Sequence, residues 1–391
     1  MTAAVDVRAR LVDRLEASGV LTPGWRQAFL DVGRHEFLPD VFWASTGDGY
    51  ERCDRARSPE RWLELAYSDV AIVTQWDDGT SSGQQREPTS SVSMPTMVAS
   101  MLRDLDVHEG HKVWEGGTGP GWNAGLLARR QGAHNVVTVE LDAVVAAQAA
   151  ANFRALDIAP TAVVGDAAHG YLPGAPYDRG ILTCSVRHVP PALIGQIRRH
   201  GVLVLPFAPL FGGGAVARLT VTGTTVTGTT ATGPFTGSSA FMRMRQQRYQ
   251  APPVDDYLPG DWPGDAVREY TTLNPLNVVD DWLASFVVGL AVPDLYYRRS
   301  NNGGSGMTTL WLFDTGVTSW ATVDFVDGAS RFEVRQSGSR RMWSEVEDTV
   351  RWWTAAGRPG FERFGLTLEG GEHRAWLHQP ANPLPSPRGQ D

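Results

Sequence analysis

The amino-acid sequence predicts an α/β fold built on a doubly wound parallel sheet, and three observations predict it. Strand-like and helix-like segments alternate about every 25 residues between positions 94 and 205. A glycine-rich loop at 116–121 ends the first of these strands and opens a helix. Acidic residues stand at three successive strand ends, Glu115, Glu140 and Asp166.

The elements follow in order. Residues 5–17 carry Val7, Leu11, Val12 and Leu15 at helical spacing. Thr22-Pro23 reads as an N-cap and a first-turn proline, opening a second helix that runs to residue 30. Residues 40–91, rich in Gly, Ser, Asp and Thr, read as a long irregular stretch, which a compact domain keeps for function or leaves disordered. Regular alternation then predicts a helix at 97–105, a strand at 112–114, a helix at 123–131 and a strand at 136–140. A helix at 143–156, strands at 162–164 and 177–183, a helix at 190–199 and a strand at 202–205 complete it.

The period changes after Phe207. Residues 215–232 alternate Val or Leu with Thr and Gly, predicting antiparallel strands that close the sheet. Residues 251–263 read as a linker. Beyond it, helices at 280–290 and 343–355 and strands at 308–313 and 321–326 predict a second, α+β unit. Eight of the 14 tryptophans lie between residues 251 and 391, so this part is a packed module or a binding surface. Two domains are expected, 1–250 and 251–391.

Composition limits the function classes. The 391 residues are 42% hydrophobic, enough for a substantial core. A net charge of −8 argues against nucleic acid as a partner, because phosphate binding needs a basic face. Two cysteines, Cys53 and Cys184, make no disulfide framework and fit a reducing compartment. With no apolar leader segment and no apolar run near the ~18 residues of a membrane span, the expectation is a cytoplasmic protein without a membrane partner.

The glycine loop reads Val113-Trp114-Glu115-Gly116-Gly117-Thr118-Gly119-Pro120-Gly121-Trp122. Dinucleotide sites need a third glycine for close helix–strand packing, and Trp122 occupies that position, so an NAD-dependent enzyme fails here. Glu115 would repel a pyrophosphate but suits a ligand with a cationic part, such as the ammonium of S-adenosylmethionine. Glu140 can accept both ribose hydroxyls, and Asp166 can accept from an adenine amino group. Taken alone, each piece also reads blandly: the loop as a tight turn, Glu140 as a helix cap, Asp166 as a turn residue. Together they predict a nucleoside pocket. No His/Cys/Asp cluster has metal spacing, and no metal is expected. His169 and His188 lie near strand ends and read chiefly as structural.

Across residues 5–245 the chain resembles the protein-L-isoaspartate O-methyltransferases. The resemblance rests on Arg34-His35-Glu36-Phe37-Leu38-Pro39, Ser91-Val92-Ser93-Met94-Pro95, Glu115 to Gly119, Val139-Glu140, Gly165-Asp166, Ala175-Pro176-Tyr177-Asp178, Val189 to Leu193 and Leu203 to Pro206. It implies a Rossmann-like class I methyltransferase fold with an added C-terminal α+β domain. It implies that Ser93 is the catalytic residue, lining the cleft between cofactor and substrate, with Ser91, Val92 and Met94 beside the cofactor. Glu115, Gly117, Thr118 and Gly119 would hold the methionine part, Glu140 and Leu141 the ribose, and Asp166 and Ala167 the adenine.

The chain departs from the family pattern at Thr96, at Ala167 and in Gly212-Gly213-Gly214-Ala215. With the 40–91 stretch and the C-terminal unit, these departures resemble a divergent branch acting in ribosomal-peptide (lanthipeptide) biosynthesis. In that branch an aspartyl ester would collapse to succinimide and open to isoaspartate. A carboxylate is ionised at neutral pH and the sulfonium is a good leaving group, so alignment can supply the catalysis without a general base. A repair enzyme acting on isoaspartyl residues, and a non-catalytic peptide-binding scaffold, are the alternatives.

Overall fold

A computed structural model describes residues 2–80, 87–225, 228–258, 260, 262–302 and 306–385. Parts of the 40–91 stretch (81–86), of the 215–232 strands (226–227) and of the 251–263 linker (259 and 261) therefore lie outside the described residues.

The chain begins with helices α1 (Thr2–Ala17) and α2 (Pro23–Asp31), the latter with Pro23 in its first turn as expected. The stretch read as irregular is instead structured: strands β1 (Val41–Ser45) and β2 (Tyr50–Asp54), helix α3 (Pro59–Ala66), and strands β3 (Ile72–Trp76) and β4 (Pro88–Val92). The strands pair antiparallel in the order β2-β1-β3-β4. Each has only five residues, and the turn residues between them dominate the local composition. Phe42, Ala44, Trp62, Leu65 and Ile72 are buried in the first core, so the insertion is continuous with the main domain.

The doubly wound part follows: α4 (Pro95–Leu105), β5 (Val113–Gly116), α5 (Trp122–Gln131), β6 (Val136–Glu140), α6 (Ala143–Ala155), β7 (Thr161–Val164), β8 (Tyr177–Leu182), α7 (Pro191–Gly195) and β9 (Ile197–Phe207). Strands β5 to β9 pair in parallel in the order β9-β8-β5-β6-β7, with the winding reversed between β5 and β8. Side chains alternate across the sheet. Val113, Val136, Ile181, Val202 and Val204 enter one core, while Trp114, Val137, Leu182, Leu203 and Leu205 enter the other. The helix expected at 190–199 is shorter. Ile197 pairs with Tyr177 and Val202 with Arg179, so residues 198–201 bulge out of the ladder. Strand pairing overrides the helical spacing of Leu193, Ile194 and Ile197.

Strands β10 (Gly214–Thr225) and β11 (Gly228–Ser239) are antiparallel, as expected, but they extend the sheet rather than close it. The rest comprises β12 (Val267–Thr271), α8 (Leu276–Val279), α9 (Trp282–Ala291), β13 (Leu295–Asn302), β14 (Met307–Asp314), β15 (Ser319–Val326), β16 (Phe332–Gly338), α10 (Met342–Ala355), β17 (Phe364–Glu369) and β18 (Glu372–Leu377). Strands β12 to β16 form a five-stranded antiparallel sheet with its own core. The expected division at 250/251 does not match the sheets. Strand β17 pairs with β11 and β18 with β17, so the last hairpin completes the nine-stranded sheet β18-β17-β11-β10-β9-β8-β5-β6-β7. Phe286 of α9, Trp353 of α10 and Phe364 share a core with Phe235 of β11, fastening the C-terminal unit to the sheet. Among the described residues, no helix is long and apolar enough to cross a membrane.

Candidate active site

A cavity of about 980 Å³ opens at the carboxyl ends of the parallel strands, where the winding reverses. Its wall includes Ser91, Val92, Ser93, Met94, Gly117, Thr118, Gly119, Glu140, Leu141, Asp166 and Ala167. Thus eleven of the twelve residues singled out from the sequence meet in one cavity. The twelfth, Glu115, does not reach its surface.

Glu115 is 0% exposed and lies behind the loop. Its carboxylate accepts from Asn123 Nδ2 at 2.6 Å and from the Thr138 hydroxyl, which is 2.6 Å from the Thr118 hydroxyl. Burial pushes the Glu115 carboxyl up to about 7; the two hydrogen bonds oppose the shift and the Glu140 charge adds to it. Glu115 therefore braces the glycine loop from beneath, whereas the sequence suggested a ligand on its surface. Alternation explains this, because Trp114 and Gly116 flank it on β5 and the strand end is covered by α5.

The loop itself is shaped as a cradle. Gly117 and Gly119 have φ of +90° and +53°, and a side chain at Gly117 would come within 2.7 Å of Thr183 Oγ1. Thr183 donates to the Gly117 carbonyl and fixes the loop against the end of β8. Glu140 accepts from the backbone N–H groups of Gly119 at 2.9 Å and Asp142 at 3.0 Å, so its carboxylate is oriented before any ligand arrives. Asp166 accepts from Ala168 N at 2.8 Å. Cys184 also lines the cavity; burial, then the charges of Glu140 and Asp166, push its thiol up to about 12 and keep it protonated. A backbone cradle, an oriented carboxylate and the apolar Met94, Leu141 and Ala167 fit a nucleoside carrying a cationic chain.

Ser93 stands between β4 and α4, and Arg34 fixes it there. The buried Arg34 guanidinium donates to the carbonyls of Ala66, Ser68 and Val70, and to those of Val92 (3.1 Å) and Ser93 (2.9 Å). Burial lowers its pKa to about 9, still charged at neutral pH. The Arg34 motif was visible in the sequence; its role as a clamp on the Ser93 backbone required the fold.

Other residues at or beside the cavity were not anticipated from the sequence. Asp142 caps α6 through Val144 N and Val145 N and lies 3.4 Å from Arg245, which also pairs with Asp78 at 2.8 Å. This joins the β3–β4 hairpin to the strand ends. Their only sequence signal is charge, which surface pairs share. Tyr50 and Trp282, 46% and 43% exposed, also line the cavity, yet both lie outside the doubly wound core. His169 and His188 do not line it; the His169 side chain is 83% exposed and the His188 ring lies 5.5 Å from that of His373. Among the described residues, no three His, Cys, Asp or Glu side chains converge to hold a metal ion.

Comparison with known proteins places this arrangement. The family model for protein-L-isoaspartate(D-aspartate) O-methyltransferase matches residues 48–212. The chain is 32% identical over 217 residues to protein-L-isoaspartate O-methyltransferase 1 of Rhodopseudomonas palustris, covering 55% of this chain and 75% of that one. It is 33% identical over 203 residues to the Methanopyrus kandleri enzyme, covering 51% and 76%. It is 35% identical over 150 residues to that of Ignicoccus hospitalis, covering 38% of this chain and 65% of that one. A solved protein-L-isoaspartate O-methyltransferase shares the fold with a TM-score of 0.52 at 20% identity, over 95% of this chain and 99% of that one. A doubly wound sheet, a glycine cradle over oriented carboxylates and these relatives agree: the chain belongs to the protein-L-isoaspartate O-methyltransferase family of S-adenosylmethionine-dependent carboxyl O-methyltransferases.

Proposed function

We propose that this protein methylates a carboxylate of an aspartyl or isoaspartyl residue in a polypeptide, with isoaspartyl the first substrate to test. S-adenosylmethionine, when bound, supplies an electrophilic methyl group on a sulfonium. The chain's part is to hold and align. Glu140 and Asp166 present acceptors for a nucleoside, and the Gly117–Gly119 backbone admits the amino-acid chain. Glu115 and Thr138 hold that loop in place, and Ser93 lies where an acceptor carboxylate would enter. The acceptor is ionised at neutral pH, so no protein base is required. Alignment and exclusion of water supply the rate.

The observation that carries this reading is the shared cavity: Ser93, the glycine cradle and Glu140 line one space of about 980 Å³. That is at the upper end of the roughly 300–1,000 Å³ of small-molecule pockets, which leaves room for an acceptor beside the cofactor. A second reading, an ordinary aspartate in a ribosomal precursor peptide, draws support from Tyr50 and Trp282 at the cavity wall, contributed by elements added to the core. In that case the next backbone nitrogen would attack the ester, methanol would leave, and water would open the imide to isoaspartate. The test is mass spectrometry with isotopically labelled methyl donor on a matched pair of aspartyl and isoaspartyl peptides. Gain of one methyl on the isoaspartyl peptide supports the first reading; net loss of water from the aspartyl peptide supports the second. Neither label nor loss of water on either peptide, with no labelled methanol released, rejects both.

A further inference from the structure

Among the described residues, the C-terminal unit reaches the candidate active site through one side chain. Trp282 is the first residue of α9, whose N-terminus is capped by Asp281 accepting from Leu283 N at 2.9 Å and Ala284 N at 3.0 Å. Its neighbours Ala284 and Ser285 are buried, but Trp282 itself is 43% exposed and lines the cavity. It is also fixed in place: Nε1 donates to the Gly214 carbonyl at 2.9 Å. The loop before β10 is made for it. A side chain at Gly213 would come within 2.3 Å of the indole, and one at Gly212 within 2.4 Å of Ser285. The three glycines therefore mark where α9 docks.

A half-exposed, rigid aromatic face on a cavity wall is well suited to binding. Its order has been settled by folding, and it offers a large apolar area at little further entropic cost. The residues it packs beside are uncharged: Gly212, Gly213 and Gly214, with Ser239 paired to Gly214. The Arg243 guanidinium on the same wall is engaged by the carbonyls of Ala208 at 2.7 Å and Pro209 at 3.1 Å. An apolar or aromatic side chain is thus favoured against the ring face, where a charged one would lose hydration.

We propose that Trp282 is a specificity-determining residue, receiving an apolar or aromatic side chain adjacent to the carboxylate that is methylated. This rests on the polypeptide acceptor proposed above. It makes the C-terminal unit part of the acceptor site, so selection of substrate sequence resides outside the doubly wound core.

The test measures binding, so it does not depend on turnover. Peptides with Phe or with Glu beside the target residue are titrated calorimetrically into the full-length protein saturated with S-adenosylhomocysteine. The wild type is expected to bind the Phe peptide at least ten-fold more tightly. Trp282→Ala should abolish that preference while leaving S-adenosylhomocysteine affinity unchanged. Trp282→Leu preserves apolar packing against Gly213 and decides the matter if the alanine variant does not fold; it should lose most of the preference. Equal peptide discrimination by wild type and a folded variant overturns the proposal, as does a parallel loss of S-adenosylhomocysteine binding. Binding with the expected preference but no methyl transfer would refute the catalytic reading and uphold this one. A wild type that binds neither peptide refutes both.

Discussion

Glu115→Gln isolates the electrostatic cost of the brace beneath the glycine loop. In the folded protein the Glu115 carboxyl is pushed from 4.5 to about 7, chiefly by complete burial. Each pKa unit corresponds to about 1.4 kcal/mol, so the ionised side chain costs about 3 kcal/mol of folding free energy. The sign follows from linkage. The folded state holds this proton more tightly than the unfolded state. Stability is therefore fully present below pH 4.5 and is lost as the pH rises through about 7.

A glutamine removes the titration but keeps the geometry. Its carbonyl can accept from Asn123, and its amide can donate to Thr138, whose hydroxyl then turns to Thr118. The assay is urea unfolding of both proteins across a pH series. Between about pH 5 and about pH 8.5 the variant should gain about 2–3 kcal/mol over wild type. Parallel pH profiles would show that the carboxyl titrates normally, and the account of a proton-bearing brace would fail.

Three further outcomes follow from the structure. Arg34→Met strips donors from five carbonyls and should cost about 3–5 kcal/mol; melting and turnover at saturating cofactor should both fall, the latter because the Ser93 backbone is released. Gly117→Ala forces a side chain onto φ +90° within 2.7 Å of Thr183 Oγ1 and should weaken S-adenosylhomocysteine binding by about ten-fold or more in calorimetry, with cooperative unfolding retained. Truncation after residue 255 removes β17 and β18 and bares Ala231 and Phe235 of β11; size-exclusion chromatography should show aggregation, and a monomeric, cofactor-binding fragment would contradict the shared-sheet account.

The parallel core and most of its pocket were legible in the sequence because their determinants are local. Glycines at 117 and 119 meet a backbone requirement that other residues meet poorly, and a residue ending a parallel strand at the winding reversal can face the ligand wherever the distant chain runs. Glu140 and Asp166 were found on that basis, Ser91 to Met94, Thr118, Leu141 and Ala167 through the family resemblance, and all of them line the cavity. Glu115 escaped the same logic, since alternation along β5 decides which strand-end residue faces inward, and that depends on what packs beneath.

Only tertiary structure decided the rest. Short strands between 41 and 92 carry too little periodicity to stand out, and they become strands by pairing with one another. Likewise, nothing local in residues 364–377 says that they return past an entire five-stranded sheet to extend the first one. Arg34 meeting five carbonyls and Trp282 meeting Gly213 are encounters between segments 32 to 69 positions apart. The sequence by itself determined the class of fold and the cofactor side of the cavity, through backbone conformation and side-chain period. Tertiary packing decided the acceptor side, because its walls come from separate parts of the chain that only long-range contacts bring together.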